Sequence, residues 1–215
     1  MATDLSRPGI SRLLERYGVS VVEEAVAKSE NEAAAAAKRI GYPVVLKIVS
    51  GEISHKTDRG CVKINLMDER ELRTAYGQIM RNAGRARVQG MLVQKMVKQG
   101  IELIVGGRKD PQFGPLVMFG LGGIFVEILK DVSIRVCPVT KAEAHEMIDE
   151  IRGSPLLHGA RGTVPVDTGK LAMLLASVSR MLYEHPEICE FDLNPVIADS
   201  SGYLAVDVRV VACKA

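Results

Sequence analysis

The chain has 215 residues, 47% hydrophobic and 25% charged, and its 28 Lys and Arg against 26 Asp and Glu leave a formal net charge of +2. That composition excludes a disordered chain, and the lack of a basic excess excludes nucleic acid and membrane surfaces as partners. Aromatics reach only 4% with no Trp, which leaves little for stacking on bases.

Along the chain, helix and strand periods alternate. Pro8 to Tyr17 is expected to be helical, with Gly18 as its stop. Ser29 and Glu32 form a capping box for a second helix that runs through Ala33 to Ala37 and ends at Gly41. Val44 to Ile48 is a β-branched strand broken only by Lys47. The polar loop SGEISHKTDRG follows, and then a strand over Cys61 to Leu66. Asp68 to Asn82 is an amphipathic helix with Leu72, Ala75, Tyr76, Ile79 and Met80 on one face. Met91 to Lys95, Ile101 to Val105 and Leu116 to Phe119 read as strands, and Ile124 to Val126 as another after the loop Gly120-Leu121-Gly122-Gly123. Ala144, Met147, Ile148 and Ile151 mark one later helix, and Leu171, Leu174, Leu175, Val178, Met181 and Leu182 a second. Two strands close the chain, Phe191 to Ile197 and Tyr203 to Val210, joined by a turn through Asp199 and Gly202. The polar stretch Gln94 to Gly100 divides a smaller lobe, 1–93, from a larger one, 94–215, with the first helix free to pack on the second lobe. Interleaved strands and helices with a terminal hairpin predict a mixed-sheet α/β (α+β) architecture.

The N-terminus carries Asp4, Arg7 and Arg12 and no apolar leader, and the uncharged run Pro111 to Val126 is too short and too rich in Gly and Pro to span a bilayer. Cys61, Cys137, Cys189 and Cys213 show no CxxC spacing, so four free thiols in a reducing cytoplasm are expected.

Five features could carry chemistry. In the terminal hairpin, Glu190, Asp192 and Asn194 share one strand face. In the returning strand Asp207 and Arg209 share a face opposite Leu204, Val206, Val208 and Val210. A four-residue turn would set Asn194 across from Asp207, close enough for one Mg²⁺; on pattern alone, a solvated polar face serves as well. Lys47, in an apolar strand, is either a phosphate partner or a lysine reaching solvent. His55, in a polar loop, is a general base, a transient phosphoryl acceptor or simply exposed. The glycines at 120, 122 and 123 would let backbone N–H groups approach phosphate, although no Gly-Lys-Ser/Thr follows. Gly159-Ala160-Arg161-Gly162 is an anion-fork loop or a structural turn.

The segments VVLKIVSGEISHKTDRG, VQKMVKQGIELIVGGRKDPQFGP, FGLGGIFVEILKDVSIR, GARGTVPVD, EFDLNPVI and AVDVRV, in this order, resemble one family from about Leu13 to Val210. It is the β (ATP-grasp) subunit of ADP-forming acetate and acyl-CoA synthetases, relatives of succinyl-CoA synthetase. The resemblance implies an ATP-grasp fold with nucleotide between two α/β lobes, and ATP/ADP and Mg²⁺ as cofactors. The implied reaction is acyl-CoA + ADP + phosphate ⇌ acid + CoA + ATP, through acyl phosphate and phosphohistidine. It implies an α subunit carrying the CoA-binding and phosphohistidine domains, in an α₂β₂ assembly.

By the same resemblance Lys47 is the nucleotide-phosphate lysine, and Gln94 to Val97, with Met96, is the hinge at adenine. Glu102 lies at the ribose, Asn194 and Asp207 hold Mg²⁺, and His55 receives or relays the phosphoryl group. Gly122, Gly123 and Arg161 face the phosphoryl route. Two departures bear on the loop's path: Ser50-Gly51 replaces Ser-Pro, and Asp58-Arg59-Gly60-Cys61 replaces Asp-Val-Gly-Gly. Two other readings stay open, a stand-alone ATP-grasp carboxylate–amine ligase and a non-catalytic nucleotide-binding regulatory module.

Overall fold

The computed structural model describes residues 5–53, 56–123 and 131–213. The chain forms two compact units, one of Val22–Lys98 and the other of Met1–Val21 with Gln99–Ala215. The division thus falls inside the polar stretch 94–100, a few residues beyond the 93/94 boundary read from sequence, and the first helix goes with the larger unit.

Helix α1 (Arg7–Arg16) starts on Ser6, whose side chain accepts the Gly9 N–H, and stops before Gly18 at φ +69°. The smaller unit follows. Its strands β1 (Glu24–Ala27), β2 (Val44–Val49), β3 (Val62–Leu66) and β4 (Gly90–Lys95) form an antiparallel sheet in the order β1-β4-β2-β3. Helices α2 (Glu30–Ile40) and α3 (Glu69–Ala83) pack Ala33, Ala37, Leu72 and Ile79 against Leu46, Ile48, Met91 and Val93. The alanine block lets α2 lie close to the sheet, since Ala33 and Ala37 are fully buried. Ser29 accepts the Glu32 N–H at 3.2 Å and Asp68 the Glu71 N–H at 2.8 Å, caps worth about 1 kcal/mol each. Glu32 reaches back to the Lys28 N–H, one residue before the capping-box position.

The larger unit resumes with β5 (Ile101–Asp110), β6 (Gly114–Leu121), β7 (Val132–Val136), α4 (Lys141–Glu150) and the short α5 (Ser154–Leu157). A 3₁₀ turn (Ala160–Gly162), α6 (Thr168–Glu184), β8 (Ile188–Asp199), β9 (Gly202–Ala205) and β10 (Val208–Ala212) complete it. The antiparallel sheet runs β10-β8-β5-β6-β7, and β9 extends the hairpin along β8. Leu14, Met147, Ile148, Leu171 and Val178 belong to one core with Leu103, Val105, Phe119 and Leu193. At Gly107 a Cβ would lie 2.3 Å from a Leu182 methyl, so glycine lets α6 rest directly on the strand backbone. Val21 forms a parallel bridge with Ala205, which holds the N-terminal segment to the hairpin.

Strands β1 and β7 were not read from sequence. Each is a short edge strand with mixed burial, so neither carries a clean period. The strand expected at Ile124 to Val126 lies outside the described residues. No helix among the described residues is long and apolar enough to cross a membrane.

The expectation of four free thiols is corrected. Cys189 and Cys213 form a disulfide, while Cys61 and Cys137 are free and buried. Pairing follows from hairpin register rather than sequence spacing. Val211 faces Glu190, a register shift then brings Ala212 opposite Ile188, and Cys213 arrives beside Cys189. Burial alone pushes the Cys137 thiol up to about 12, which leaves it inert at neutral pH. Thiol titration of the unfolded, unreduced chain is expected to find Cys61 and Cys137 alone, with all four reacting after reduction. Because the bridge joins residues 24 apart, replacing both partners by Ser should lower stability by about 3 kcal/mol in urea unfolding.

Candidate active site

The terminal hairpin keeps one register from the Glu190–Val211 pair to the Asp199–Gly202 pair at its turn. Leu193 faces Val208 and Val196 faces Ala205, which sets Asn194 opposite Asp207 as the spacing had required. Two backbone bonds bracket the pair: Asn194 N–H donates to the Asp207 carbonyl at 3.1 Å, and Val206 N–H to that of Pro195 at 2.9 Å. On its other side β8 slips by one residue against β5, since Leu103 faces Val196 but Val105 faces Leu193. The extra residue makes a bulge at Asn194-Pro195.

Core-facing positions change phase across this bulge, from Phe191 and Leu193 to Val196 and Ala198. The partner strand changes with it, from Ala205 to Val208 and Val210. The single apolar face expected for Leu204, Val206, Val208 and Val210 is therefore corrected: Ala205 enters the core, and Leu204 and Val206 do not.

The phase change leaves Asn194 exposed and Asp207 half-buried. Facing residues of this kind have Cβ atoms about 5 Å apart. A carboxamide and a carboxylate are hard oxygen donors, and Mg²⁺ shared with phosphates needs only one or two protein groups. Among the described residues no three His, Cys, Asp or Glu side chains gather into a metal cage. The donor set therefore fits Mg²⁺ better than a soft transition metal. Two residues earlier, Asp192 faces Arg209; burial raises its carboxyl above the usual range, and Arg209 opposes the rise.

Glu102, on β5, sits across from Ile197. Its carbonyl accepts the Gly122 N–H at 2.7 Å. A Cβ on Gly122 would lie 3.0 Å from the Glu102 backbone, and one on Gly123, at φ +61°, 3.2 Å from Glu102 Oε2. These three residues share a cavity of about 470 Å³ with Ile101, Leu121, Leu156 and Thr163. Its walls are largely apolar, and Glu102 is the one charged residue among those described there. A carboxylate in such surroundings repels phosphate and suits hydroxyl or N–H donors. The glycine turn is thus a close-packing device beside Glu102, with the Gly122 N–H already engaged.

Beside this cavity the Thr163 hydroxyl donates to the carbonyls of Leu156 (3.2 Å) and Ala160 (2.9 Å), closing the 3₁₀ turn onto α5. Arg161 is placed in that turn by its backbone; its side chain lies outside the described residues.

In the smaller unit Lys47 is half-buried, on the sheet face away from Leu46 and Ile48. Register puts Leu92 beside it, and Val45, Gln94 and Glu24 on the same face. Gln94 is fully buried and its amide donates to Glu24 Oε2 at 3.0 Å. Glu24 was missed from sequence because β1 was missed. Met96 N–H donates to the Pro43 carbonyl at 3.1 Å. The Lys95 ammonium donates to the carbonyls of Gly41 (2.6 Å) and Tyr42 (3.2 Å), just past the end of α2. Val97 is half-buried near the end of the unit.

Ser54 and His55 lie outside the described residues. The roots of their loop are tied down. The Ser50 hydroxyl donates to the Arg87 carbonyl (2.8 Å), Glu52 accepts the Arg87 N–H (3.0 Å), and Asn82 donates to the Gly60 carbonyl (2.9 Å). Cys61 is fully buried in the core of the unit, so its bulk is directed inward.

Residues 2–212 match the ATP-grasp domain family. The chain is 49% identical over 211 residues to the ADP-forming acetate–CoA ligase I subunit beta of Pyrococcus furiosus, covering 96% of this chain and 91% of that one. It is 50% identical over 203 residues to the ADP-forming acetate–CoA ligase I of Archaeoglobus fulgidus, covering 93% of this chain but only 30% of that protein. Among solved structures, the dinucleotide forming acetyl-coenzyme A synthetase 1 of Ca. Korarchaeum cryptofilum, in complex with coenzyme A and Ca-AMPCP, superposes with a TM-score of 0.91 at 46% identity, over 94% of this chain and 90% of that one. A second structure of that synthetase holds coenzyme A and Mg-AMPPCP, with a TM-score of 0.86 at 43% identity over 98% and 93% of the two chains.

The cavity geometry predicts graded effects of glycine substitution. Gly18→Ala, in open space at φ +69°, should cost about 1 kcal/mol in urea unfolding from backbone strain alone. Gly123→Ala should cost more, because the new methyl also meets the Glu102 carboxylate.

Proposed function

The chain belongs to the ATP-grasp domain family, among the β subunits of ADP-forming acyl-CoA synthetases, and on that premise we propose that it is the nucleotide-binding subunit of such an enzyme. It transfers a phosphoryl group between phosphohistidine and ADP within the reaction acyl-CoA + ADP + phosphate ⇌ acid + CoA + ATP. The observation that carries the reading is the oxygen-donor pair Asn194 and Asp207, set face to face at the bulge. Bound Mg²⁺ would supply charge neutralisation for the nucleotide phosphates there.

The chain's own groups do the rest. Lys47 draws a phosphate oxygen with its ammonium, and Gln94, Met96 and Val97 form the segment that meets adenine. Glu102 accepts hydrogen bonds from ribose hydroxyls, which suits a carboxylate among apolar walls better than a phosphate contact. Gly122 and Gly123 keep that wall thin, and Arg161 is assigned to the phosphoryl route. His55 takes the phosphoryl group on a ring nitrogen from the α partner's phosphohistidine, whose own P–N bond breaks and frees that imidazole; the new P–N bond then breaks as a terminal oxygen of ADP forms the P–O bond, giving ATP and free His55 imidazole.

The two compact units serve as the two ATP-grasp lobes. The chain spans most of the Pyrococcus β subunit but under a third of the Archaeoglobus enzyme. The remaining chemistry, CoA binding and the main phosphohistidine, falls to an α partner in an α₂β₂ assembly in the cytoplasm. A stand-alone carboxylate–amine ligase and a regulatory nucleotide module are the competing readings.

Co-expressed with its α partner and given acetyl-CoA, ADP, phosphate and Mg²⁺, the chain is expected to form ATP. Asp207→Ala and Lys47→Ala should each lower that rate about a hundredfold or more, and His55→Ala should abolish phosphoryl labelling of this chain. Full activity in Asp207→Ala would remove the metal assignment. Tight MgADP binding with no ATP formed with any partner would favour the regulatory module, and ADP release with an amine and no partner the ligase.

A further inference from the structure

We propose that Asp131 is a positioning residue that sets the width of the Glu102 cavity, a role that rests on the nucleotide reading above. Helix α4 ends at Ile151, where the backbone turns extended (φ −69°, ψ 144°). The next two N–H groups, of Arg152 and Gly153, leave the helical pattern and need acceptors. Asp131 supplies both, Oδ1 accepting from Arg152 N–H at 2.8 Å and Oδ2 from Gly153 N–H at 2.8 Å. Two charge-assisted bonds from consecutive amides to one carboxylate fix the turn in orientation as well as in place.

This turn connects the two walls of the cavity. Gly153 is pressed onto Leu121, where a Cβ would come within 2.2 Å of the leucine side chain. Leu121 leads directly into Gly122 and Gly123, which form one wall. From the clamped turn, α5 carries Leu156 to the other wall, and Thr163 is fastened to it through the Leu156 carbonyl. Asp131 also touches β6 through its own backbone, since a Cβ on Gly120 would lie 2.7 Å from the Asp131 carbonyl oxygen. Its main chain rests on the strand that leads into one wall, and its side chain holds the turn that feeds the other. Without the carboxylate, two amides lose their acceptor and the Leu156 wall is free to move away from the glycines.

The test compares Asp131→Ala and Asp131→Asn in the full chain by hydrogen exchange, thermal unfolding and MgADP titration. Asn keeps one side-chain oxygen acceptor and guards against a misfolded Ala variant. In Asp131→Ala, exchange across 152–163 should quicken about tenfold and MgADP should bind about tenfold more weakly. Asp131→Asn should fall between Ala and wild type, with exchange in α2 and α3 unchanged in both. Unchanged exchange at 152–163 overturns the proposal. So does loosened exchange with undiminished MgADP affinity, or weakened binding that merely tracks a fall in melting temperature. A wild-type chain that fails to bind MgADP counts against the nucleotide reading instead, and exchange alone then decides whether Asp131 holds the wall.

Discussion

A one-residue mismatch between β5 and β8 governs the arrangement of the larger unit's candidate site. Antiparallel pairing alternates side chains strictly, so without the mismatch every second residue of β8 would stay committed to the core. The bulge at Asn194-Pro195 resets that alternation in mid-strand. The hairpin register is preserved through it, so the partner strand changes phase at the same level. A polar residue is thereby presented on each strand, the two face to face, while Leu193, Val196, Ala205 and Val208 still reach the core around them. Packing and site geometry are satisfied by the same irregularity.

Electrostatics divides the larger unit's polar groups by chemistry. Within the larger unit Asn194 and Asp207 set two oxygen donors across the hairpin, while Glu102 is the one charged residue among those described around its largely apolar cavity. Within a few ångströms a carboxylate beside phosphate is unfavourable and a carboxylate beside a diol is not. The glycines next to Glu102 pack against its backbone and carboxylate, with the Gly122 N–H on the Glu102 carbonyl. The overall charge of +2 carries no trace of this division, because local fields follow individual side chains and not the net charge.

Most elements with a strong period were legible in the sequence: the capped helices, the strand around Lys47, and the hairpin with Asn194 opposite Asp207. Even there, constant alternation was assumed through Pro195, and the faces of Leu204 and Val206 came out reversed. The short edge strands β1 and β7 lack a period, and with β1 went Glu24, the partner of Gln94. The Cys189–Cys213 pair depends on a register shift that only the folded hairpin specifies. The cavity around Glu102 draws residues from β5, β6, α5 and the turn after it, a convergence that exists only in three dimensions.

The disulfide has a consequence for the donor pair. Asn194 and Asp207 both lie inside the covalent ring closed by Cys189 and Cys213. Beyond them the turn end is tied too, with the Lys170 ammonium on the Ser201 carbonyl at 2.6 Å and Asp167 N–H on that of Asp199 at 3.0 Å. If the strands fray, the two donors cannot diffuse apart beyond the span of that ring. Their effective concentration for each other therefore stays high without an intact ladder. Any cation held by this pair would be chelated by a tethered loop as much as by a folded sheet.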